Sequence, residues 1–77
     1  MTDRTWWQYV VRHAGTENQS EIARRIGRDQ SSLNKWPQGA KPRVESVRAF
    51  AEAYRRPILE AMVAAGILSE EEARQGL

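Results

Sequence analysis

Residues 19–36 read QSEIARRIGRDQSSLNKW, and this stretch decides the fold. Its apolar residues fall into two short groups, Ile22, Ala23 and Ile26 before Gly27, and Leu33 and Trp36 after it. The first group has helical spacing, and Asn18 followed by Glu21 has the form of a capping box at its start. Gly27 suits the left-handed position that closes a helix, where a Cβ is penalised. Asp29 is then expected to cap a third helix, which Pro37 must end soon after Trp36. Two short helices joined by about three residues pack steeply only where the crossing positions are small or apolar. Ala23 allows close approach, while Ile22, Ile26, Leu33 and Trp36 fill the angle. The expectation is a helix-turn-helix over residues 19–36.

Working outward, Asp3 is expected to cap a first helix reaching about Ala14, with Trp6, Val10 and Ala14 on one face and Gly15 ending it. Trp6 and Trp36 lie on apolar helical faces and are expected in the core rather than as stacking platforms for bases; Trp7, one residue round, is left open. Downstream, residues 37–42 read as a loop. A fourth helix over about 44–54 should bury Val44, Val47, Phe50, Ala51 and Tyr54. Pro57 suits the first turn of a fifth helix that reaches Ala65 and is closed by Gly66. Ser69 and Glu72 form a capping box for a last short turn. Strand signals are poor, because β-branched and aromatic residues never alternate with polar ones for long. The fold class is therefore all-α, a compact five-helix bundle with a short C-terminal turn, read as one domain over residues 1–77.

Composition narrows the function classes. The 77 residues lie near the lower limit at which one core sustains a fold unaided. With no cysteine and His13 alone, neither a disulfide framework nor a metal site is expected. The longest uncharged run, residues 61–69, falls far short of the roughly 20 apolar residues that span a bilayer. The first residues include an acid and lack the apolar core of a signal peptide, so a cytoplasmic setting is expected. No nucleophile–base pairing and no phosphate-cradling glycine loop is evident; neither catalysis, a cofactor nor a small-molecule ligand is expected. Net charge is only +2, but it is unevenly placed. Residues 24–48 carry seven cations (Arg24, Arg25, Arg28, Lys35, Lys41, Arg43, Arg48) against Asp29 and Glu45, a local +5. From residue 56 onward two arginines face four glutamates, a local −2. A basic middle gives one positive face suited to a polyanion, although chance clustering on a solvated surface is an equal reading of charge alone.

On a wheel at about 100° per residue from Gln30, Leu33 falls near ~300° and Trp36 near ~240°, which sets the buried direction. Gln30, Ser31, Asn34 and Lys35 point outward, and Ser32 lies on the flank. Glutamine and asparagine each offer a bidentate donor–acceptor pair to adenine, and lysine donates to guanine or phosphate. Serine reaches a base edge or a phosphate.

This stretch resembles the helix-turn-helix of the lambda-repressor-like family, which includes the phage cI and Cro repressors and many bacterial regulators. The likeness lies in the opening Gln19, the Ile22-Ala23 pair, the Ile26-Gly27 turn, Gln30-Ser31 and the Leu33…Trp36 closure. It extends to Gly39, Lys41-Pro42 and a helix with Val47, Phe50 and Ala51, and covers roughly residues 6–65. The tail from Arg56 onward resembles a form met in actinobacterial and actinobacteriophage regulators. The resemblance implies that double-stranded DNA is the partner, with the third helix in its major groove. It implies that Gln19 bonds a phosphate and braces Gln30, that Gln30 and Ser31 read bases, and that Asn34 and Lys35 occupy contact positions. Pro37 departs from the family pattern and is expected to shorten the third helix.

Among the remaining cations, Arg28 at the turn is favoured for phosphate contact, as are Lys41 and Arg43 beside the loop. Arg24 and Arg25 divide evenly between phosphate contact and plain solubility. His13 reads as a surface or helix-end side chain, and Glu70, Glu71 and Glu72 as residues favouring a helix N-terminus. The fifth helix has only Glu60 polar between Ile58 and Ala65, a wider apolar surface than one core contact needs. Leu59 and Val63 are therefore the candidate face for a homodimer, unless the chain through Ile67 and Leu68 folds back over them. The leading expectation is a sequence-specific transcriptional regulator. An antitoxin- or adaptor-type interaction protein that also binds DNA, and an excision or architectural factor, are the alternatives.

Overall fold

The computed structural model of the protein describes residues 5–75. Five α-helices follow one another, with no strand among the described residues: α1 (Thr5–Ala14), α2 (Gln19–Ile26), α3 (Val44–Ala53), α4 (Ile58–Ala64) and α5 (Glu70–Arg74). Between α2 and α3 lie two 3-10 turns, Gln30–Ser32 and Trp36–Gln38. The all-helical expectation holds, and the last short turn is a five-residue helix. Asp3, expected to cap α1, lies outside the described residues. No described helix is long and apolar enough to cross a membrane.

Helix ends follow local chemistry. The Asn18 side chain accepts the Glu21 N–H at 3.0 Å, but the reciprocal half of the expected box is absent, because the Asn18 N–H goes to Thr16 Oγ1 at 3.1 Å. Gly27 stands at φ 72°, and its neighbour Arg28 sends its N–H back to the Ala23 carbonyl at 3.0 Å, closing α2 as a Schellman-type end. At α5 both halves of the Ser69–Glu72 box form.

One core joins α1 to α4 and the segment between α2 and α3. Trp6, Trp7 and Val10 from α1 meet Ile22, Ala23 and Ile26 from α2, with Leu33, Trp36, Val47, Phe50, Ala51, Ala61, Met62 and Ala65. Trp7, left open by periodicity, is 4% exposed and belongs to this core. Trp6 is its hub, edge-on to both Trp36 (centroids 5.3 Å) and Phe50 (5.5 Å) and stacked on Tyr9 (5.6 Å). Such contacts add about 0.5–1.5 kcal/mol each to area burial. They offset the cost of the buried Trp6 Nε1, which has no partner among the described residues. Val44, expected inside, is 43% exposed: as the first residue of α3 it projects past the end of the core. Tyr54, expected buried, is half-buried just past the end of α3.

A polar tie fixes α1 to α4. Tyr9 donates its hydroxyl to Glu60 Oε2 at 2.7 Å, and Arg56 grips the same carboxylate through Nε and Nη2 at 3.0 and 2.9 Å. The Tyr9 bond holds Glu60 below the usual carboxylate range, and burial together with that bond pushes Tyr9 up to about 12. His13 packs its ring on Tyr9 at 4.5 Å.

Candidate functional site

The element expected as a third α-helix is the main correction to the sequence reading. Residues 30–38 form two 3-10 turns whose bonds run from each N–H to the carbonyl three residues back. Ser32 bonds Asp29 (2.9 Å), Leu33 bonds Gln30 (3.0 Å), Trp36 bonds Leu33 (3.1 Å), Gln38 bonds Lys35 (3.0 Å) and Gly39 bonds Trp36 (3.0 Å). Leu33, at φ −128° and ψ 5°, breaks regularity between the turns. In an α-helix the Leu33 carbonyl would take its donor from residue 37, and proline has none. Trp36 supplies the N–H instead. The low helix propensity of Ser31, Ser32 and Asn34 does nothing to resist the change. Asp29 stands at the N-cap position, but its side chain makes no capping bond.

The tighter winding still leaves the segment anchored. Leu33 is fully buried and Trp36 is 2% exposed, while the first 3-10 turn packs on α2 and the second on α1. Gln30, Ser31, Asn34 and Lys35 are all exposed, as is Ser32. Gln19 opens α2 and is half-buried, but no hydrogen bond joins it to Gln30, so the expected brace is not formed.

Beside this segment runs a groove lined by Arg28, Ser31, Ser32, Lys41, Arg43 and Ser46. It brings together three of the four residues expected at phosphates with one expected at bases, and no carboxylate lines it. Ser32 belongs here rather than on the flank. The Lys41 stem runs past Gly66, its Cε 3.5 Å from where a Cβ there would stand. Ser46 was missed by sequence reading. It is 2% exposed in the first turn of α3, and no described residue bonds its hydroxyl. The groove thus combines three cations, hydroxyl donors and the N-terminal end of a ten-residue helix, which together suit an anion.

Two other candidates stand apart. Arg25, evenly divided on sequence, lies over the Tyr54 ring at 4.6 Å and is engaged in packing. Leu59 and Val63 are half-buried but stand outside the set packed on the core, whereas Ile67 and Leu68 do fold back onto it. Comparison of the chain with protein-family models, curated proteins and solved structures found no match.

Proposed function

We propose that the protein is a sequence-specific binder of double-stranded DNA and a transcriptional regulator of the lambda-repressor-like, phage Cro or repressor type. The observation that carries this reading is the pairing of two features: an exposed polar segment pinned to the core by Leu33 and Trp36, and the carboxylate-free groove of Arg28, Lys41 and Arg43 at its flank. The first suits base edges in a major groove, and the second suits the backbone phosphates that run alongside. Gln30, Ser31, Asn34 and Lys35 act on bases. Arg28, Lys41, Arg43 and Gln19 hold the backbone, and promoter occlusion is the mechanism. Selection of bound sequences from random duplex DNA at two salt concentrations tests it. Enrichment of one motif, with affinity falling steeply in salt, is expected; no enrichment at either salt removes the reading.

A second feature bears on assembly. Leu59 and Val63, half-buried but outside the core set, favour a homodimer that places two reading segments on paired half-sites. Sedimentation with and without duplex DNA tests this, and monomer alone under both conditions removes it. An antitoxin- or adaptor-type role would use the same face for a different protein, and would appear as a stable complex with that protein.

A further inference from the structure

We propose that the first turn of α3 is a seat for one phosphate monoester dianion, and that such a ligand, free in solution, displaces DNA from the groove. The seat stands on its own geometry; the displacement rests on the duplex-DNA reading above. Its ground is a set of donors with nothing to bond. Ser46 is 2% exposed and lines the groove, and no described residue bonds its hydroxyl. A hydroxyl withdrawn from water is costly to leave in that state. The N–H groups of Val44, Glu45 and Ser46 open the helix and have no helical carbonyl four residues back. Arg43 stands at the N-cap with no capping bond, and no other described group meets these three N–H groups. The helix runs for ten residues, so its dipole adds partial positive charge at this end.

Charge and donor number choose the ligand. Arg28, Lys41 and Arg43 line the same groove, while Glu45, in the same helical turn, is exposed and outside the lining. An anion is thereby favoured over a neutral polar group. A phosphodiester offers two unesterified oxygens and one negative charge. A phosphate monoester carries close to two charges at neutral pH and three strong acceptor oxygens. Three N–H groups, the Ser46 hydroxyl and three cationic side chains are more donors than two oxygens satisfy, at about two lone pairs each. The third oxygen of a monoester takes up the remainder, and its second charge meets cations that a single diester leaves unmatched. On a duplex the same cations divide among neighbouring phosphates, so DNA and a monoester compete for one place.

The test follows the amides of the isotope-labelled protein by NMR during titration with methyl phosphate, dimethyl phosphate, or sodium chloride at matched ionic strength. It is run at about pH 7.5, where a monoester has lost its second proton. Methyl phosphate is expected to shift the amides of residues 44–46 along one saturable curve, and dimethyl phosphate to bind at least about tenfold more weakly. Ser46→Ala should weaken methyl phosphate about two- to tenfold, the effect of one hydrogen bond, and Arg43→Ala about tenfold or more. Chloride that reproduces the shifts overturns the seat, as does wild-type affinity in Arg43→Ala, which decides the matter even if Ser46→Ala fails to fold. Equal affinity for the two phosphates overturns the choice of a monoester. Exchanging chloride for methyl phosphate at constant ionic strength should lower duplex affinity as the seat fills; undiminished duplex binding overturns the displacement. A protein that takes methyl phosphate but no duplex upholds the seat and removes the DNA reading, whereas one that binds duplex and no methyl phosphate overturns the seat alone.

Discussion

Tyr9 and Glu60 are joined by a 2.7 Å hydrogen bond that spans 51 residues of sequence and ties α1 to α4. Both groups titrate with the fold. Tyr9 is raised from 10.0 to about 12, so its contribution is complete below pH 10.0 and is lost as pH rises through about 12. Glu60 is lowered from 4.5, so its contribution is present above 4.5 and is lost as pH falls through the lower folded value. In Tyr54→Phe, which leaves Tyr9 as the only tyrosine, ultraviolet titration should find a phenol ionising near 12. Tyr9→Phe should cost about 1 kcal/mol at neutral pH, below the roughly 1.5–3 kcal/mol of a bond to a charged group because the carboxylate is partly solvated. It should also raise the pKa of Glu60. A Tyr9 phenol that ionises at 10.0 in the folded protein means that the bond is not made in solution.

Arg55 is the one described non-glycine residue at positive φ, 56°, where α3 ends. The following Arg56 N–H reaches back to the Ala51 carbonyl at 2.8 Å, so the left-handed conformation belongs to the helix stop. Holding a residue with a Cβ there costs about 1–2 kcal/mol. Arg55→Gly removes that strain but enlarges the conformational freedom of the unfolded chain, and a net gain of about 0.5–1 kcal/mol is expected. Arg55→Ala, which keeps the Cβ, should give no such gain. Urea unfolding of both variants checks the pair.

Much of the fold was legible because it rests on periodicity and punctuation. Ile22, Ala23 and Ile26 lie on one face, Gly27 stops the helix, and Ser69 and Glu72 cap α5 as their spacing requires. The 30–38 segment was misread because a wheel at about 100° per residue presupposes an α-helix. Its buried residues, 33 and 36, are three apart and fit either winding. Pro37 bars the α register from continuing through position 37, but it does not by itself fix the winding of the residues before it. Val44 shares spacing with Val47 and Ala51 but lies beyond the core edge, which periodicity cannot locate. Ser46 could not be found from sequence, since nothing near it in the chain points to Arg28, eighteen positions earlier. The Arg25–Tyr54 contact is equally non-local.

Leu33 anchors the exposed segment, and its removal should be expensive. It is fully buried between the two 3-10 turns. Leu33→Ala should destabilise the protein by about 2–5 kcal/mol through lost transfer energy and a residual cavity. In a small domain that is a large share of a total of about 5–15 kcal/mol. Leu33→Met, which conserves volume, should cost less than about 1.5 kcal/mol. Urea midpoints that match wild type for Leu33→Ala would place the segment outside the cooperative core.

The groove and the exposed segment make separable contributions on the proposed reading, and salt dependence separates them. Arg28, Lys41 and Arg43 line the groove as full charges, so alanine at any of them should weaken binding to all duplex sequences alike. Each such loss should flatten the slope of log affinity against log salt by about 0.9. Ser46 lines the same groove without a charge, and its hydroxyl has no described partner to lose. Ser46→Ala should therefore leave stability near that of wild type and weaken all sequences by about 0.5–1.5 kcal/mol, with the salt slope intact. Gln30 lies outside the groove on the exposed side, and Gln30→Ala should cost about 1–3 kcal/mol on the preferred site and little on random DNA. Titrations of the five variants against preferred and random duplexes at several salt concentrations measure both quantities together. Equal losses on both duplexes for Gln30→Ala would remove it from base reading. A changed salt slope for Ser46→Ala would mean that its hydroxyl orients one of the three cations rather than meeting the phosphate directly.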